Sequence, residues 1–281
     1  MIDQFADVNG IELHYVEYPN QGKKLLLFPG LTANAHCFDG LLQAGLNEHL
    51  HILALDLRGR GLSEKPASGY SMADHAQDII QLLDALNLER VHIGGHSFGG
   101  LLTMYLAAHY PERFEKLVIM DSAARLVNAK VIELIQPSLA RLGQRYTSWD
   151  EYLAIIKKAP FYEGWWDTTI ESYFRADIET HPDGSVNARS RPENILEALH
   201  KAHAENWFAH LSKIAHPTLL LRGITGFGLN DTPPIVTVAD AEETATNLRD
   251  CQYAEIPGNH MTMLFGEGAQ KMAMAITSFL K

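Results

Sequence analysis

The feature that most constrains the fold is a series of short apolar runs, each closed by glycine, proline or aspartate. They are "KKLLLFPG" from Lys23, "HILALDLRGRG" from His51, "RVHIGG" from Arg90, "FEKLVIMD" from Phe114, "PTLLLRG" from Pro217 and "CQYAEIPG" from Cys251. A strand that is apolar on both faces is covered on both faces. Helix-period stretches separate the runs. Asp74 to Leu88 carries Ile79, Leu82, Leu83 and Leu86 along one side, and Gly99 to Tyr110 stops before Pro111. Further helices are expected near Asp240 to Leu248 and over Ala269 to Leu280. The alternation predicts an α/β fold: a mostly parallel sheet flanked by helices, with right-handed crossovers. "IELHYVEY", before the first run, alternates like an exposed strand.

The alternation breaks after Asp121. Residues 122–216 read as mainly helical and hold all four tryptophans, Trp149, Trp165, Trp166 and Trp207. The expected division is therefore a core of residues 1–121 and 217–281 with a helical cap, 122–216, inserted into it. A length of 281 residues and 46% hydrophobic content suit one large α/β domain with an insertion. A net charge of -11 gives no general attraction to nucleic acid or anionic membrane. Cys37 and Cys251 are too few and too far apart for a disulfide scaffold or a metal knuckle, which suits a reducing, cytoplasmic setting. "MIDQFADVNG" does not read as a signal peptide, and no apolar run is long enough to span a membrane.

Within this pattern, Gly95-His96-Ser97-Phe98-Gly99 falls between a predicted strand and a predicted helix. That context makes the serine a candidate nucleophile on a sharp, strained turn, with the two glycines removing side chains that would collide. The following helix directs its N-terminus at the same place, which favours developing negative charge. A phosphate loop would need a Gly-Lys-Ser/Thr ending, which is missing.

A serine requires a base. His260 in "EIPGNHMTML" follows the last strand and a Pro257-Gly258 turn, which suits it to that role. His96 is expected in the pocket wall or core. The acid that would orient His260 has two candidates: Asp231, in the loop after "PTLLLRG", and Asp121, at the end of "LVIMD". The backbone N–H of Phe98, and that of Leu31 beyond Gly30, are the expected oxyanion donors. Arg125 is a candidate partner for a substrate carboxylate, and the four tryptophans are candidates for an apolar pocket wall. The histidines and cysteines lack zinc-site spacing, and the chemistry requires no metal or organic cofactor.

"LLLFPG", "LALDLRGRGLSEKP", "GGHSFGG", "PTLLLRG" and "EIPGNH" together resemble the α/β-hydrolase family along essentially the whole chain. The resemblance implies attack by Ser97, base catalysis by His260 and an oxyanion N–H from Leu31. Two positions depart from the family. Pro29-Gly30 stands where most relatives have His-Gly, and Gly226 stands where most have the acid; Gly228-Leu229-Asn230-Asp231 restores the Gly-x-x-Asp spacing later. The expected function is hydrolysis of a carboxylic ester of a small or medium, partly apolar molecule through an acyl-enzyme. Carbon–carbon bond hydrolysis of ring-fission products, lactonase or amidase action are alternatives with the same triad. A non-catalytic binding module is the alternative outside enzymes. Substrate identity and oligomeric state do not follow from the sequence.

Overall fold

The computed structural model describes residues 1–228 and 232–281. Eight strands form one sheet: β1 (Ile2–Val8), β2 (Ile11–Tyr18), β3 (Lys24–Phe28), β4 (His51–Leu55), β5 (Val91–His96) and β6 (Phe114–Met120), followed after the insertion by β10 (Thr218–Gly223) and β11 (Cys251–Ile256). The order across the sheet is β1-β2-β4-β3-β5-β6-β10-β11. From β4 to β11 neighbours run parallel; β2 is antiparallel to both β1 and β4. The apolar runs occupy the parallel part. Every residue of β5 and of β10 is buried, because helices cover both faces.

The helices begin where side chains can cap them. Met72–Ala85 starts at Ser71, whose hydroxyl accepts from Asp74 N–H while the Asp74 carboxylate accepts from Ser71 N–H. Val238–Asn247 is capped by Thr237, and Gly266–Leu280 closes the chain. Each starts two or three residues before the first strongly periodic position, since the first turn lies beside its cap rather than over the core.

Two features of the N-terminal region differ from the sequence expectation. The polar stretch 2–8 is a strand, paired residue by residue with β2. β2 is consequently mostly buried, not exposed. Its His14 is buried and its Nδ1 lies 2.7 Å from Asp56 Oδ2. Asp56 also accepts from Ala35 N–H at 2.7 Å and Leu62 N–H at 2.8 Å. One carboxylate thereby joins the loops after β3 and β4 to β2. An added Cβ at Gly61 would fall 2.0 Å from Asp56 Oδ2, so the glycine makes room for this carboxylate.

The segment between β6 and β10 contains six helices among its described residues, the longest being Pro192–His203. It also forms a small antiparallel sheet of β7 (Arg145–Tyr146), β8 (Ile178–Thr180) and β9 (Val186–Ala188). Strands of two or three residues are too short to leave a period in the sequence. Two buried amides tie the segment to loops of the large sheet. Asn34 donates to Tyr173 O at 3.1 Å, and Asn259 donates to Phe161 O at 2.7 Å. Its apolar side chains join the same core as those of the sheet. Among the described residues no helix is long and apolar enough to cross a membrane.

Burial opposes ionisation of both Asp56 and His14, yet their hydrogen bond outweighs it. The Asp56 carboxyl is held below its ordinary value and the His14 imidazole above its own. The Asp56 contribution to stability is thus present above the unfolded carboxylate pKa and lost as pH falls through the lowered folded value. The His14 contribution is present below the unfolded imidazole pKa and lost as pH rises through the raised folded value. Asp56→Ala is expected to lower the unfolding free energy by about 3 kcal/mol at pH 6, measured by urea denaturation. His14→Gln is expected to cost more at pH 5.5 than at pH 9. A cost below about 1 kcal/mol for Asp56→Ala would contradict the joining role.

Candidate active site

β5 ends at His96, and the helix Phe98–His109 begins two residues later. Ser97 between them has φ 56° and ψ -117°, a conformation that costs a non-glycine residue roughly 1–3 kcal/mol. The flanking glycines permit it, through contacts other than the expected collision with Ser97. A Cβ at Gly95 would meet Gly99 O at 2.0 Å, and a Cβ at Gly99 would meet Phe28 O at 2.0 Å. The helix start is pressed against the end of β3, and side chains at these two positions would force it away.

The end of β3 brings the second element. A Cβ on Gly30 would lie 3.5 Å from Ser97 Cβ, so the loop passes directly beside the serine. Leu31 and Phe98 line a recess with Ser97. Among the described residues, neither the Leu31 N–H nor the Phe98 N–H donates to a protein acceptor. Phe98 is the first residue of its helix, where N–H groups have no intrahelical partner. Pro29 removes the histidine that the family resemblance expects here, and other groups hold the loop. Arg60 Nε donates to Leu31 O at 2.9 Å, and Ala33 N–H to Gly30 O at 3.1 Å. Arg60 is fully buried, and the Phe98 ring centroid lies 5.3 Å from its guanidinium carbon. Its Nη1 donates to Arg58 O and reaches His75 Nε2 at 3.2 Å. Burial lowers its pKa to about 10, which leaves it a cation at neutral pH. A buried cation without a carboxylate partner thus lies behind the Leu31 and Phe98 peptides.

His260 follows Gly258, whose φ of 105° and whose 2.7 Å clearance from Met263 N to an added Cβ both require glycine. Asn259 Oδ1 accepts from the N–H groups of Met261 and Thr262 and fixes the loop. His260 Nδ1 lies 2.6 Å from Asp121 Oδ2. The other Asp121 oxygen accepts from Gly223 N–H at 2.8 Å, and Asp121 N–H donates to Leu221 O at 2.7 Å. Asp121 is 1% exposed and holds φ 46°, itself a strained position. It caps no helix. A carboxylate only accepts, so Nδ1 of His260 carries a proton, and in the neutral imidazole Nε2 is the nitrogen with the lone pair. Asp231 lies outside the described residues; the Nδ1 position that an orienting acid would take is filled by Asp121.

His96 is buried, and its Nε2 donates to His260 O at 2.8 Å. Burial first, and the neighbouring His260 second, push its pKa well below the ordinary imidazole value, so it stays neutral. It holds the His260 loop and contributes to the pocket wall.

Ser97 and His260 line a cavity of about 400 Å³ and also the recess, of about 40 Å³, that holds Leu31 and Phe98. The inserted segment supplies the opposite wall, through residues such as Ile135, Tyr146, Ile156, Phe161 and Phe174. The tryptophans are elsewhere, a correction to the expected aromatic wall. Trp207 is buried and donates to Ala202 O. Trp149 stacks under Arg175, Trp166 lies under Lys157 and donates to Glu171, and Trp165 packs near Phe265. Their size places them where the segment needs packing area. Arg125 is also corrected. Its side chain is 57% exposed, bound to both oxygens of Glu243, and lies outside the cavity.

Arg60 and Arg141 were not singled out by the sequence. A clue existed for Arg60, as the second arginine in the glycine-rich turn "LRGRG" after a buried strand. Arg141 lies in a region without regular period and had none. Among the described residues no cluster of three His, Cys, Asp or Glu side chains could hold a metal ion.

Residues 23–183, more than half of the chain, match the model of the alpha/beta hydrolase fold family, and the chain belongs to that family. It is 25% identical to 3-oxoadipate enol-lactonase 1 of Acinetobacter baylyi over 244 residues, covering 85% of this chain and 81% of that one. It is 34% identical to the 2-(acetamidomethylene)succinate hydrolase of Mesorhizobium japonicum over 120 residues, which cover 43% of this chain and 42% of that one. The chain spans about two fifths of the length of the first curated relatives it matches. A solved structure, that of E-2-(acetamidomethylene)succinate hydrolase, superposes with a TM-score of 0.83 over 99% of this chain and 98% of that one, at 23% identity. That likeness speaks for the fold.

The strain at Ser97 predicts a stability order. Ser97→Gly is expected to be more stable than Ser97→Ala by about 1 kcal/mol in urea unfolding, because alanine must hold the same positive φ. Equal stability of the two variants would show that the turn stores no strain.

Proposed function

We propose that the protein is a serine hydrolase that cleaves a carboxylic ester through an acyl-enzyme. The 2.6 Å contact between His260 Nδ1 and Asp121 carries this reading, because it leaves His260 Nε2 basic in the cavity that Ser97 also lines. In the proposed reaction Ser97 Oγ attacks the carbonyl carbon while Nε2 takes its proton. The Leu31 and Phe98 N–H groups hold the oxyanion, backed by the cationic Arg60. His260 then protonates the departing alcohol, and water activated by the same nitrogen releases the acid. Asp121 acts as the orienting acid. The segment 122–216 acts as a cap whose wall limits substrate size.

The two spaces that meet at Ser97 differ about tenfold in volume. This supports a substrate with one bulky and one small side at the carbonyl. Lactone and amide-type substrates are the second reading, supported by the printed names of the enol-lactonase and the acetamidomethylene-succinate hydrolase.

The test is steady-state hydrolysis of p-nitrophenyl esters from acetate to decanoate, alongside lactones, amides and a ring-fission dienone. Ser97→Ala is expected to lose all measurable turnover and all labelling by a fluorophosphonate. Asp121→Asn is expected to lower kcat by about 10³- to 10⁴-fold with its fold intact, as the orienting acid of such a triad does. Full activity in Asp121→Asn with loss in Asp231→Asn would move the acid to the loop after β10. Fast dienone cleavage with slow ester turnover would move the reaction to carbon–carbon bonds. An unlabelled, inactive wild-type chain would leave the binding-module alternative.

A further inference from the structure

The cavity beside Ser97 contains an arginine that is not fully used. Arg141 is 5% exposed and lines the cavity wall formed by the inserted segment. Its closest carboxylate is Asp177, also buried, with Nη1 to Oδ2 at 3.3 Å and Nη2 to Oδ1 at 3.5 Å. Nη2 also donates to Thr32 O at 3.2 Å. By strict hydrogen-bond geometry Nη1 has no partner among the described residues, since its line to Asp177 is out of geometry, although the Tyr173 phenol, which also lines the cavity, is close enough to act on the guanidinium.

Arg58 shows how this chain builds a structural arginine. It spends Nε and Nη2 on both oxygens of Asp78, at 2.6 and 2.5 Å, and Nη1 on Gly69 O. Arg141 meets its carboxylate about 0.8 Å farther away, and that carboxylate is shared with the Tyr152 hydroxyl at 2.7 Å. A charged N–H left unpaired in the interior costs roughly 1–3 kcal/mol or more. A purely structural pair would close that gap.

A second unused donor lines the same cavity. Tyr162 is 2% exposed, and its hydroxyl has no hydrogen-bond partner among the described residues. Arg141 and the Tyr173 phenol are both near enough to act on the ionisation of that hydroxyl. Burial works against the charge of Arg141, but Asp177 first, then Tyr152 and Tyr173, outweigh it and hold the guanidinium charged.

Among the described residues the charge of the wall has one sign: Arg141 and Lys158 are the cationic side chains that line the cavity, and no described Asp or Glu lines it, in a chain of net charge -11. With Asp177 balancing Arg141 behind the wall, the one positive charge left over is supplied by the exposed Lys158. That suits a monoanion with two oxygens, one for a guanidinium N–H and one for a phenol, rather than a dianionic phosphate.

We propose that Arg141, with Tyr162, is the receptor for a free carboxylate on the substrate, so that the favoured substrates are half-esters or related acyl compounds with a carboxylate at the end remote from Ser97. This deepens the hydrolase reading and rests on it for the reacting end of the molecule. The carboxylate role expected of Arg125 moves to a residue that is buried and lines the cavity.

The test compares monomethyl with dimethyl esters of succinate, glutarate, adipate and pimelate, reading the ratio of kcat/KM for the two. Wild-type protein is expected to favour one monomethyl ester over its dimethyl partner by at least about 10-fold. Arg141→Gln is expected to reduce that ratio about 10- to 100-fold, the range for a hydrogen bond to a charged group. Tyr162→Phe, which leaves Asp177 paired, is expected to reduce it about 3- to 10-fold, with Arg141→Lys between wild type and Arg141→Gln. Calorimetric titration of the Ser97→Ala protein with the same esters reads the receptor without turnover. Monoester binding there, weakened by Arg141→Gln or Tyr162→Phe, sustains the receptor even if wild-type protein hydrolyses none of the panel, an outcome that would overturn only the hydrolase reading. Equal treatment of mono- and diesters in both assays would overturn the receptor. So would ratios unchanged in both Tyr162→Phe and Arg141→Lys, which covers the case in which Arg141→Gln fails to fold.

Discussion

The site depends on one close approach of backbone to backbone. The helix that starts at Phe98 is pressed so tightly against the end of β3 that a single methyl at Gly99 would overlap the Phe28 carbonyl. Gly95 is equally tight against Gly99, and a Cβ on Gly100 would come within 2.5 Å of Ser122 Cβ. Three loops therefore converge within contact distance: those after β3, β5 and β6. They carry Leu31, Ser97 and Asp121. The positive φ of Ser97 follows from this convergence, since a relaxed turn would carry the helix away from β3. Strain of this kind persists only when the surrounding packing fixes it from several sides.

Buried charge holds the convergence in place, and the quality of each pairing separates support from site. Asp56 accepts through both oxygens, from His14, Ala35 and Leu62. Arg58 and Asp78 make a short two-point pair. These groups are paired within the protein, and their role ends in rigidity. Asp121 is also bonded through both oxygens, but one of its partners is an imidazole whose other nitrogen faces the cavity. Arg60 and Arg141 each keep a buried nitrogen without a partner. One sits behind the Leu31 and Phe98 peptides, the other in the cavity wall. Leaving buried donors unsatisfied is costly, and of these two only Arg141 lines the cavity, where its free nitrogen can take part in the binding proposed above.

Much of this was legible in the sequence because the parallel sheet repeats its signal. Each apolar run bounded by glycine or proline became a strand, and the Gly-His-Ser-Phe-Gly turn fell where strand meets helix. What stayed hidden has physical reasons. Strand β1 is polar because it lies at the sheet edge, where one side needs no apolar partner. The strands of the small sheet have two or three residues, fewer than a period requires. The tryptophans misled because a large ring is as useful for packing as for binding, and composition does not distinguish the uses. Arg125 misled because its distance from Asp121 along the chain said nothing about Glu243, 118 residues later, which captures it.

The proposed acid illustrates how position in the fold can favour one of two candidates of equal chemistry. Asp121 sits one residue past the end of β6, and its peptide N–H and one carboxylate oxygen both bond to β10, at Leu221 and Gly223. Two strands inside the sheet thus fix its remaining oxygen on His260. An acid further along the loop after β10 would depend on that loop for its placement, and a loop conveys its own motions to whatever it carries. In the proposed reading, with the acid on β6, the chain after β10 is relieved of that duty and free to differ in length, in keeping with Gly226 at the usual acid position and the later Gly-x-x-Asp spacing. The cost is the strained φ of Asp121, held by the same hydrogen bonds that aim it. Ser97 and Asp121 therefore share one device: a non-glycine residue in a disfavoured backbone conformation at the end of a buried strand, kept there by neighbouring strands.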